Sequence, residues 1–459
     1  MPRLWAYHLH YFDWLWTFLP EEDPDWRPAR RAVLDWIERH PPAGKACGWE
    51  PYPTSVRLMN WSLLFGVRHR ARTREDEELL GAILRSVGSQ ARWLRDNLEV
   101  HLEANHLLEN LAALACVAAV FEWEGRDVMG GRVLPLLEQE LREQILPDGL
   151  HYERSPMYHL RMLWLVEMLA AAGDRRAAAV AAPLVEPMGE ALAMLTHPDG
   201  EIALFNDAAQ GVYAMPSSPP VAPPGPWALP EAGYYGWRGE TGDYLAVDAA
   251  PIGPDHQPGH AHADFLSFEL SIEGRRVVTD TGVASYEPGA GRAWDRSTAA
   301  HNTVEVEGTD SCEVWKAFRV GRRTRPDVTE WSPRGDGFVL EAAHRGYRHL
   351  PQKVTHTRRF EMRPGRLTIV DRLAGRGRFG AVARLHLAPG MEAVRDGPGV
   401  EIRGGGAPVS IRFSGPGRLV LESSPYSPEF GARVERTVVG WRVEADGAAA
   451  WSTTIGWAA

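Results

Sequence analysis

The stretch Pro216-Ser217-Ser218-Pro219-Pro220-Val221-Ala222-Pro223-Pro224-Gly225-Pro226 separates two parts of the chain with different hydrophobic rhythms. Proline at this density continues no helix and enters no central strand. Residues 216–230 therefore read as an interdomain linker. On its N-terminal side, apolar residues recur at three-to-four spacing over 30–39, 56–71, 76–97, 106–122, 133–144, 157–172 and 177–195. That is the period of helices with one buried face. Breaks such as Pro147-Asp148-Gly149 and Pro198-Asp199-Gly200 separate some of them. Repeated helical hairpins of this length predict an α/α toroid or solenoid, complete or partial, over residues 1–215, with a plain bundle as the alternative. On the C-terminal side the period falls to two, at least in part, over 265–272, 303–306, 366–369 and 441–444. Turns such as Glu273-Gly274, Asp336-Gly337 and Pro364-Gly365 fall between such runs. Residues 231–459 predict a large antiparallel β-sandwich.

Composition sets limits on function. At 459 residues, 44% apolar and 24% charged, the chain has the length and balance of a globular protein of two or three domains. No uninterrupted apolar run reaches the roughly 20 residues of a membrane span. The net charge of −10 does not point to a nucleic-acid partner. Lys45, Lys316 and Lys353 are the only lysines, so basic charge is nearly all arginine. Guanidinium forks pair well with the carboxylates and sulfates of an acidic polymer, although an arginine-rich coding bias accounts for them too. The cysteines Cys47, Cys116 and Cys312 are odd in number and far apart, which predicts buried free thiols. The start, Met1-Pro2-Arg3-Leu4-Trp5, does not resemble a signal peptide. This predicts an intracellular protein, or one whose leader is not part of this chain.

Four clusters carry possible chemistry. Gly259-His260-Ala261-His262-Ala263-Asp264 is followed by Asp280, 18 residues after His262, and by His301, 21 residues further on. Imidazole and carboxylate together suit zinc. The spacing is too wide for a zinc finger and suits ligands brought together by neighbouring strands. If His262, Asp280 and His301 hold a metal, His260 is left free for other work. Residues two apart on a strand share a face, so His260 and His262 are expected to point to one region. The second cluster is 49–61, where Arg57, Asn60 and Trp61 fall on one helical face and would form a sugar-binding surface or an ordinary capped helix. In the third, Asn105 opens an apolar helix, where its side chain would cap the helix or reach outward to a ligand, and Glu109 lies one turn from His106, where it can orient it. In the fourth, His151-Tyr152-Glu153-Arg154 runs into a helix started by Ser155-Pro156, with Tyr158 and His159 in its first turn. Tyr158 becomes a useful acid or base if cations such as Arg154 lower its pKa. Arg296 could add positive charge near His301.

Taken in order, these segments resemble the heparinase II/III-like polysaccharide lyase family. The resemblance is carried by Leu9-His10-Tyr11-Phe12-Asp13, Pro51-Tyr52-Pro53 with Arg57 and Asn60-Trp61, Asn105-His106-Leu107-Leu108-Glu109-Asn110 and Glu153-Arg154-Ser155-Pro156-Met157-Tyr158-His159. It continues through Gly259-His260-Ala261-His262-Ala263-Asp264, Asp280-Thr281-Gly282 and His301-Asn302-Thr303. It implies a helical toroid followed by an antiparallel β-sandwich, and β-elimination at uronic-acid residues of an acidic polysaccharide. It implies that Asn105 and His106 neutralise the substrate carboxylate, with Glu109 behind His106. Tyr158 would be the main acid, and for one uronate epimer also the base. His260 would be the base for the other epimer. His262, Asp280 and His301 would match a structural zinc site. Arg57, Asn60, Trp61, Tyr152, Arg154 and Arg296 are the remaining candidates for substrate binding or support.

The expected partner is therefore a uronate-containing glycan, with glycosaminoglycan, alginate and exopolysaccharide all open. No membrane span is expected, and a monomer or homodimer is. The resemblance implies a periplasmic or secreted protein, with the cytoplasm as the alternative. Two other readings stand beside the lyase. One is a glycoside hydrolase, for which Glu103, Asp148 and Glu153 are available as paired carboxylates. The other is a non-catalytic glycan-binding or exopolysaccharide assembly factor.

Overall fold

The computed structural model describes residues 3–19, 25–42, 47–121, 129–172, 174–217, 221–404 and 406–458. The residues form two compact units, Met1–Ile145 with Met162–Glu186, and Leu146–Arg161 with Pro187–Ala459.

The first unit is helical. Its main helices are Trp26–Arg39, Pro51–Trp61, Glu77–Asp96, Ala104–Val120 and Leu134–Gln144. The helix Ala104–Val120 is buried on nearly every side, as its run of alanine and leucine requires. It packs against Pro51–Trp61, Glu77–Asp96 and Leu134–Gln144. Capping follows the sequence. Asp76 accepts from the Leu79 backbone N–H, and Asp25 accepts from that of Arg27. Pro51 occupies the first turn of its helix, where a missing N–H costs nothing. That helix continues as a wider π-helical segment over Ser62–Arg68, which ends the regular run sooner than the three-to-four period predicts. The expected helix end at Glu122 lies outside the described residues.

Two antiparallel sheets dominate the second unit. The smaller follows chain order: Gly225–Leu229, Tyr234–Arg238, Tyr244–Asp248, Phe268–Ile272 and Arg275–Val278. The larger is built around two long paired strands, Arg366–His386 and Val434–Trp457, whose register shifts between Ala374 and Arg378. Strand Thr355–Arg363 alternates buried and half-buried residues along its length, the signature of one face on a core. Phe268, Leu270 and Ile272 of the smaller sheet share that core with Phe360, Ile369 and Leu385 of the larger.

Three expectations need correcting. Residues 225–229 are not linker: Gly225–Leu229 is a strand, with Pro226 opposite Trp237. It lies at the sheet edge, where a proline's missing donor breaks no ladder. Ser218 to Pro220 of the proposed linker lie outside the described residues. The compact units also do not divide at the proline-rich stretch. Leu150, Ala191, Leu195 and Phe205 share one core with Trp227, Tyr234 and Tyr244. Periodicity reports that a face is buried, not what buries it. Of the cysteines, Cys116 and Cys312 are buried and Cys47 is partly exposed; all three are free thiols. Among the described helices, Arg175–Met194 is long and apolar enough to cross a membrane by composition alone. Ala177, Ala181, Met188, Ala191 and Leu192 on it are buried within the protein.

Candidate acid–base site and an adjoining histidine–carboxylate cluster

The His260 to Asp264 segment is a loop, not the strand that alternation suggested; the strand begins only at Phe268. Two turns shape it, Ala261 N–H to Pro258 O and Ser267 N–H to Asp264 O. Leu266 takes a left-handed φ of +62°, which breaks any extended run. His260 and His262 nonetheless reach one group, because a carboxylate outside the motif gathers them.

That carboxylate is Asp207. Its Oδ2 lies 2.9 Å from Nδ1 of His260, and its Oδ1 lies 2.8 Å from Nε2 of His262. Arg292 donates to both oxygens, with Nη2 at 2.7 Å from Oδ2. Asp207, His262 and Arg292 are all buried. Burial pushes the Asp207 carboxyl up, but the Arg292 charge and three hydrogen-bonding partners outweigh it and hold it well below the usual range. An ionised Asp207 is an acceptor, so the His260 Nδ1 carries the proton. Nε2 of His260 lies 3.5 Å from Oε2 of Glu153.

Tyr158 stacks on His260, with ring centroids 3.9 Å apart and planes 31° from parallel. Its hydroxyl is 3.1 Å from that of Tyr286. The expectation that a cation lowers its pKa is not met. Burial, then the neighbouring Tyr286, Tyr213 and Asp207, push the Tyr158 hydroxyl well above its ordinary range. Arg154 is turned away, with its donors on the backbone carbonyls of Tyr152, Glu231 and Ala232. Tyr158 is thus held as a neutral phenol, a proton donor.

Beyond His262 lies a second cluster. One ligand atom from each of His262, Asp264 and His301 lies within 4.8 Å of the other two. Nδ1 of His262, Oδ2 of Asp264 and Nε2 of His301 are all buried without a hydrogen-bond partner. Buried polar atoms are seldom left unpaired, and three together make a donor set of two imidazoles and a carboxylate. Asp280 does not take the expected third place. Both its oxygens lie 2.9 Å from Nδ1 of His301, so it stands behind that ring. Asp207 stands behind His262 in the same manner. This is the outer arrangement that orients imidazole ligands. Burial lowers the His262 pKa to about 3, keeping the ring neutral. Burial, opposed by His301 and reinforced by Asp280, pushes the Asp264 carboxyl up to about 6.

In the helical unit, His106 is oriented by Glu99 rather than by Glu109. Its Nδ1 is 3.1 Å from Glu99 Oε1, and its ring lies 4.6 Å from that of Tyr52. Glu109 is buried and accepts from the Tyr52 hydroxyl at 3.4 Å. Glu99 lies before the helix, and Asn110 holds it there, donating at 3.0 Å to its Oε2. Asn105 does not cap its helix: Glu103 holds the cap position, with φ of +57°. Asn105 itself is buried.

Several expected binding residues are structural. Arg57 is buried, with donors on Gln90, Thr54 and the His10 carbonyl and its guanidinium 4.0 Å from the Trp36 ring. Asn60 joins Trp16 Nε1 to the Tyr11 carbonyl, and Trp61 packs on Phe12 and Trp36. The expected sugar-binding face therefore points into the helical core. Arg296 is buried and donates to the carbonyls of Ala261 and Ala317. Tyr152 meets His256 at 3.4 Å. Asp207, Arg292 and Tyr286 escaped the sequence reading. The pair Asn206-Asp207, polar within the apolar run 202–209, was the available signal for the first.

Comparisons with known proteins agree with this architecture. Residues 30–217 match the family model described as Heparinase II/III N-terminus, and residues 221–458 match that described as Heparinase II/III-like, C-terminal. The FtsZ-localized protein C of Caulobacter vibrioides is 25% identical over 442 residues, covering 88% of this chain and 73% of that protein. The heparin-sulfate lyase of Pedobacter heparinus is 26% identical over 212 residues, covering 38% of this chain and 31% of that protein. A crystal structure of heparinase III superposes with a TM-score of 0.79 at 18% identity, over 98% of this chain and 76% of that one.

Proposed function

We propose that this chain, which belongs to the heparinase II/III family, is a polysaccharide lyase that cleaves a uronate-containing acidic glycan by β-elimination. The observation that carries the reading is the Tyr158 ring 3.9 Å from His260, with His260 tied through Nδ1 to Asp207. Elimination requires removal of the C5 proton and protonation of the departing O4 as the C4–O4 bond breaks and the C4=C5 bond forms. His260, protonated at Nδ1, offers Nε2 as the base for the C5 proton. Tyr158, kept neutral by burial, gives its proton to O4. For the opposite epimer Tyr158 would serve both steps, entering as the phenolate, taking the C5 proton and passing it to O4 as the C4–O4 bond breaks; the burial that keeps its hydroxyl neutral favours the route in which His260 is the base. Neutralisation of the substrate carboxylate, which makes the C5 proton acidic, falls to Asn105 and His106 by the family resemblance alone.

The donor set fits zinc, and His262, Asp264 and His301 would hold it, with Asp280 and Asp207 orienting the two rings. A bound zinc would supply a structural cross-link between the loop after His260 and the segment at His301. Elimination needs no metal-bound nucleophile, so no step is assigned to it.

A second reading has one observation in its favour: the relative covering 88% of this chain is named for its FtsZ localisation, not for an activity. One assay separates the two. Incubation with a panel of uronate glycans is expected to raise ultraviolet absorbance from the unsaturated product, and Tyr158→Phe is expected to abolish the rise. Glycan binding without absorbance or new reducing ends would support the non-catalytic reading. New reducing ends without absorbance would support a hydrolase, for which Asp148 is poorly placed because it accepts from the Ala232 backbone N–H at 2.8 Å.

A further inference from the structure

The candidate acid–base pair is joined to the surface by aromatic rings. Phe318 lies 5.8 Å from His260 and 5.2 Å from Tyr286, centroid to centroid. It belongs to a small hairpin whose strands Val314–Trp315 and Arg319–Val320 are joined by three residues. Trp315 and Phe318 are 48% and 42% exposed, among the few large apolar side chains open to solvent. Exposed aromatic rings cost hydration free energy, so two on one short hairpin call for an occupant.

The hairpin is held firmly. Lys316 takes a left-handed φ of +50°, a conformation that surrounding contacts must impose. Those contacts come from two buried arginines. Arg292, which also grips Asp207, donates to the Ala317 carbonyl at 2.8 Å. Arg296 donates to the same carbonyl at 3.2 Å and to that of Arg319 at 3.3 Å. One guanidinium thus fixes both the His260 partner and the hairpin tip. Rigid aromatic groups lose little entropy on binding.

The charge of the hairpin selects among occupants. The nearby Arg323 and Arg325 share the single carboxylate of Asp255, which leaves one positive charge in excess. Lys316 and Arg319 are exposed and have no ion pair among the described residues. The Lys316 ammonium sits 5.3 Å from the Trp315 ring. In a chain of net charge −10, an unpaired cation pair flanking exposed rings is complementary to an anionic ligand with flat apolar faces. Sugar rings of an acidic glycan have that combination.

We infer that the hairpin 314–320 is a glycan subsite beside the Tyr158–His260 pair, where Trp315 and Phe318 stack on a sugar ring and Lys316 and Arg319 pair with its carboxylate or sulfate. The inference rests on the lyase reading for its choice of ligand, and its test separates the two. Binding of sulfated and unsulfated glucuronate tetrasaccharides is measured by calorimetry in the Tyr158→Phe background. Trp315→Ala and Phe318→Ala are each expected to weaken Kd about tenfold, and Lys316→Gln to flatten its salt dependence. Trp315→Phe is expected to keep most of the affinity. Thermal melting shows that each variant is folded. In the active chain, Trp315→Ala is expected to raise KM by more than it lowers kcat. Unchanged Kd in all three variants, or no binding of any tetrasaccharide, overturns the subsite. Turnover with an unchanged KM in Trp315→Ala also overturns it and leaves the lyase reading standing. Binding that depends on Trp315, without turnover of any glycan, keeps the subsite and removes the lyase reading.

Discussion

Asp207 Oδ2 lies 2.9 Å from His260 Nδ1, and this contact fixes which ring nitrogen of His260 carries the proton. The same carboxylate holds His262 at 2.8 Å and Arg292 at 2.7 Å. A single buried charge therefore organises His260, the neighbouring donor cluster and an arginine.

Asp207→Asn should damage both stability and turnover. It leaves the Arg292 guanidinium buried without its counter-charge, a loss of about 3–5 kcal/mol. It also leaves one acceptor oxygen for two imidazoles, which unsettles the His260 tautomer and should lower kcat about 100-fold. Denaturant melts and kcat measured on the folded fraction test the two effects separately. Wild-type melting would contradict the ion-pair account.

Metal content distinguishes the two candidate carboxylates. His301→Ala and Asp264→Asn should each reduce zinc in chelator-free protein well below one per chain. Asp280→Asn, acting from behind His301, should keep the site and weaken it about 10–100-fold. Elemental analysis and a competitive chelator titration provide the readings. Full loss in Asp280→Asn with retention in Asp264→Asn would restore Asp280 as the ligand.

Glu99→Gln should lower turnover by weakening its hold on His106, while Glu109→Gln should act mainly on folding. The contrast follows from the 3.1 Å contact of Glu99 with His106 and from the burial of Glu109 against Tyr52. Equal effects on kcat, at equal melting temperatures, would contradict it.

Arg57→Ala should cost about 3 kcal/mol of stability through lost charged hydrogen bonds and packing. It should leave glycan Kd unchanged, because Arg57 is engaged within the helical core. A weakened Kd at unchanged stability would return Arg57 to a binding role.

Acid should unfold the protein in two stages. Burial lowers the pKa of His159 and His197 to about 4, below the ordinary 6.5. The unfolded state thus takes up protons first, and the stability of the neutral rings, complete above 6.5, falls as pH drops toward 4. Asp371 follows. Burial raises its pKa, but Arg358 and His356 outweigh it and hold it at about 2. Its contribution of about 2 kcal/mol is present above the unfolded carboxyl pKa and is lost as pH falls toward 2. Denaturant midpoints measured about 1 unit apart from about pH 8 to about pH 2 should stay level above about 6.5, fall toward about 4 and fall again toward about 2.

Much of this protein was legible in its sequence. The three-to-four period before residue 195 gave helices such as Glu77–Asp96 and Pro156–Ala172, and the period of two gave strands such as Thr355–Arg363. Periodicity is local, written by which side chains a helix or strand must bury. Tyr158, His260, His262 and His301 were singled out as candidates because chemistry-bearing residues in apolar surroundings stand out by type, and the fold sets Tyr158 against His260 and His262 against His301. Tertiary structure decided their partners. Asp207 reaches His260 and His262 across 53 and 55 residues, Glu99 replaces Glu109 behind His106, and Asp264 replaces Asp280 beside the paired histidines. The reason is physical. Spacing along a chain fixes relative direction only within a regular element, and the His260 segment is a loop shaped by contacts from elsewhere in the unit.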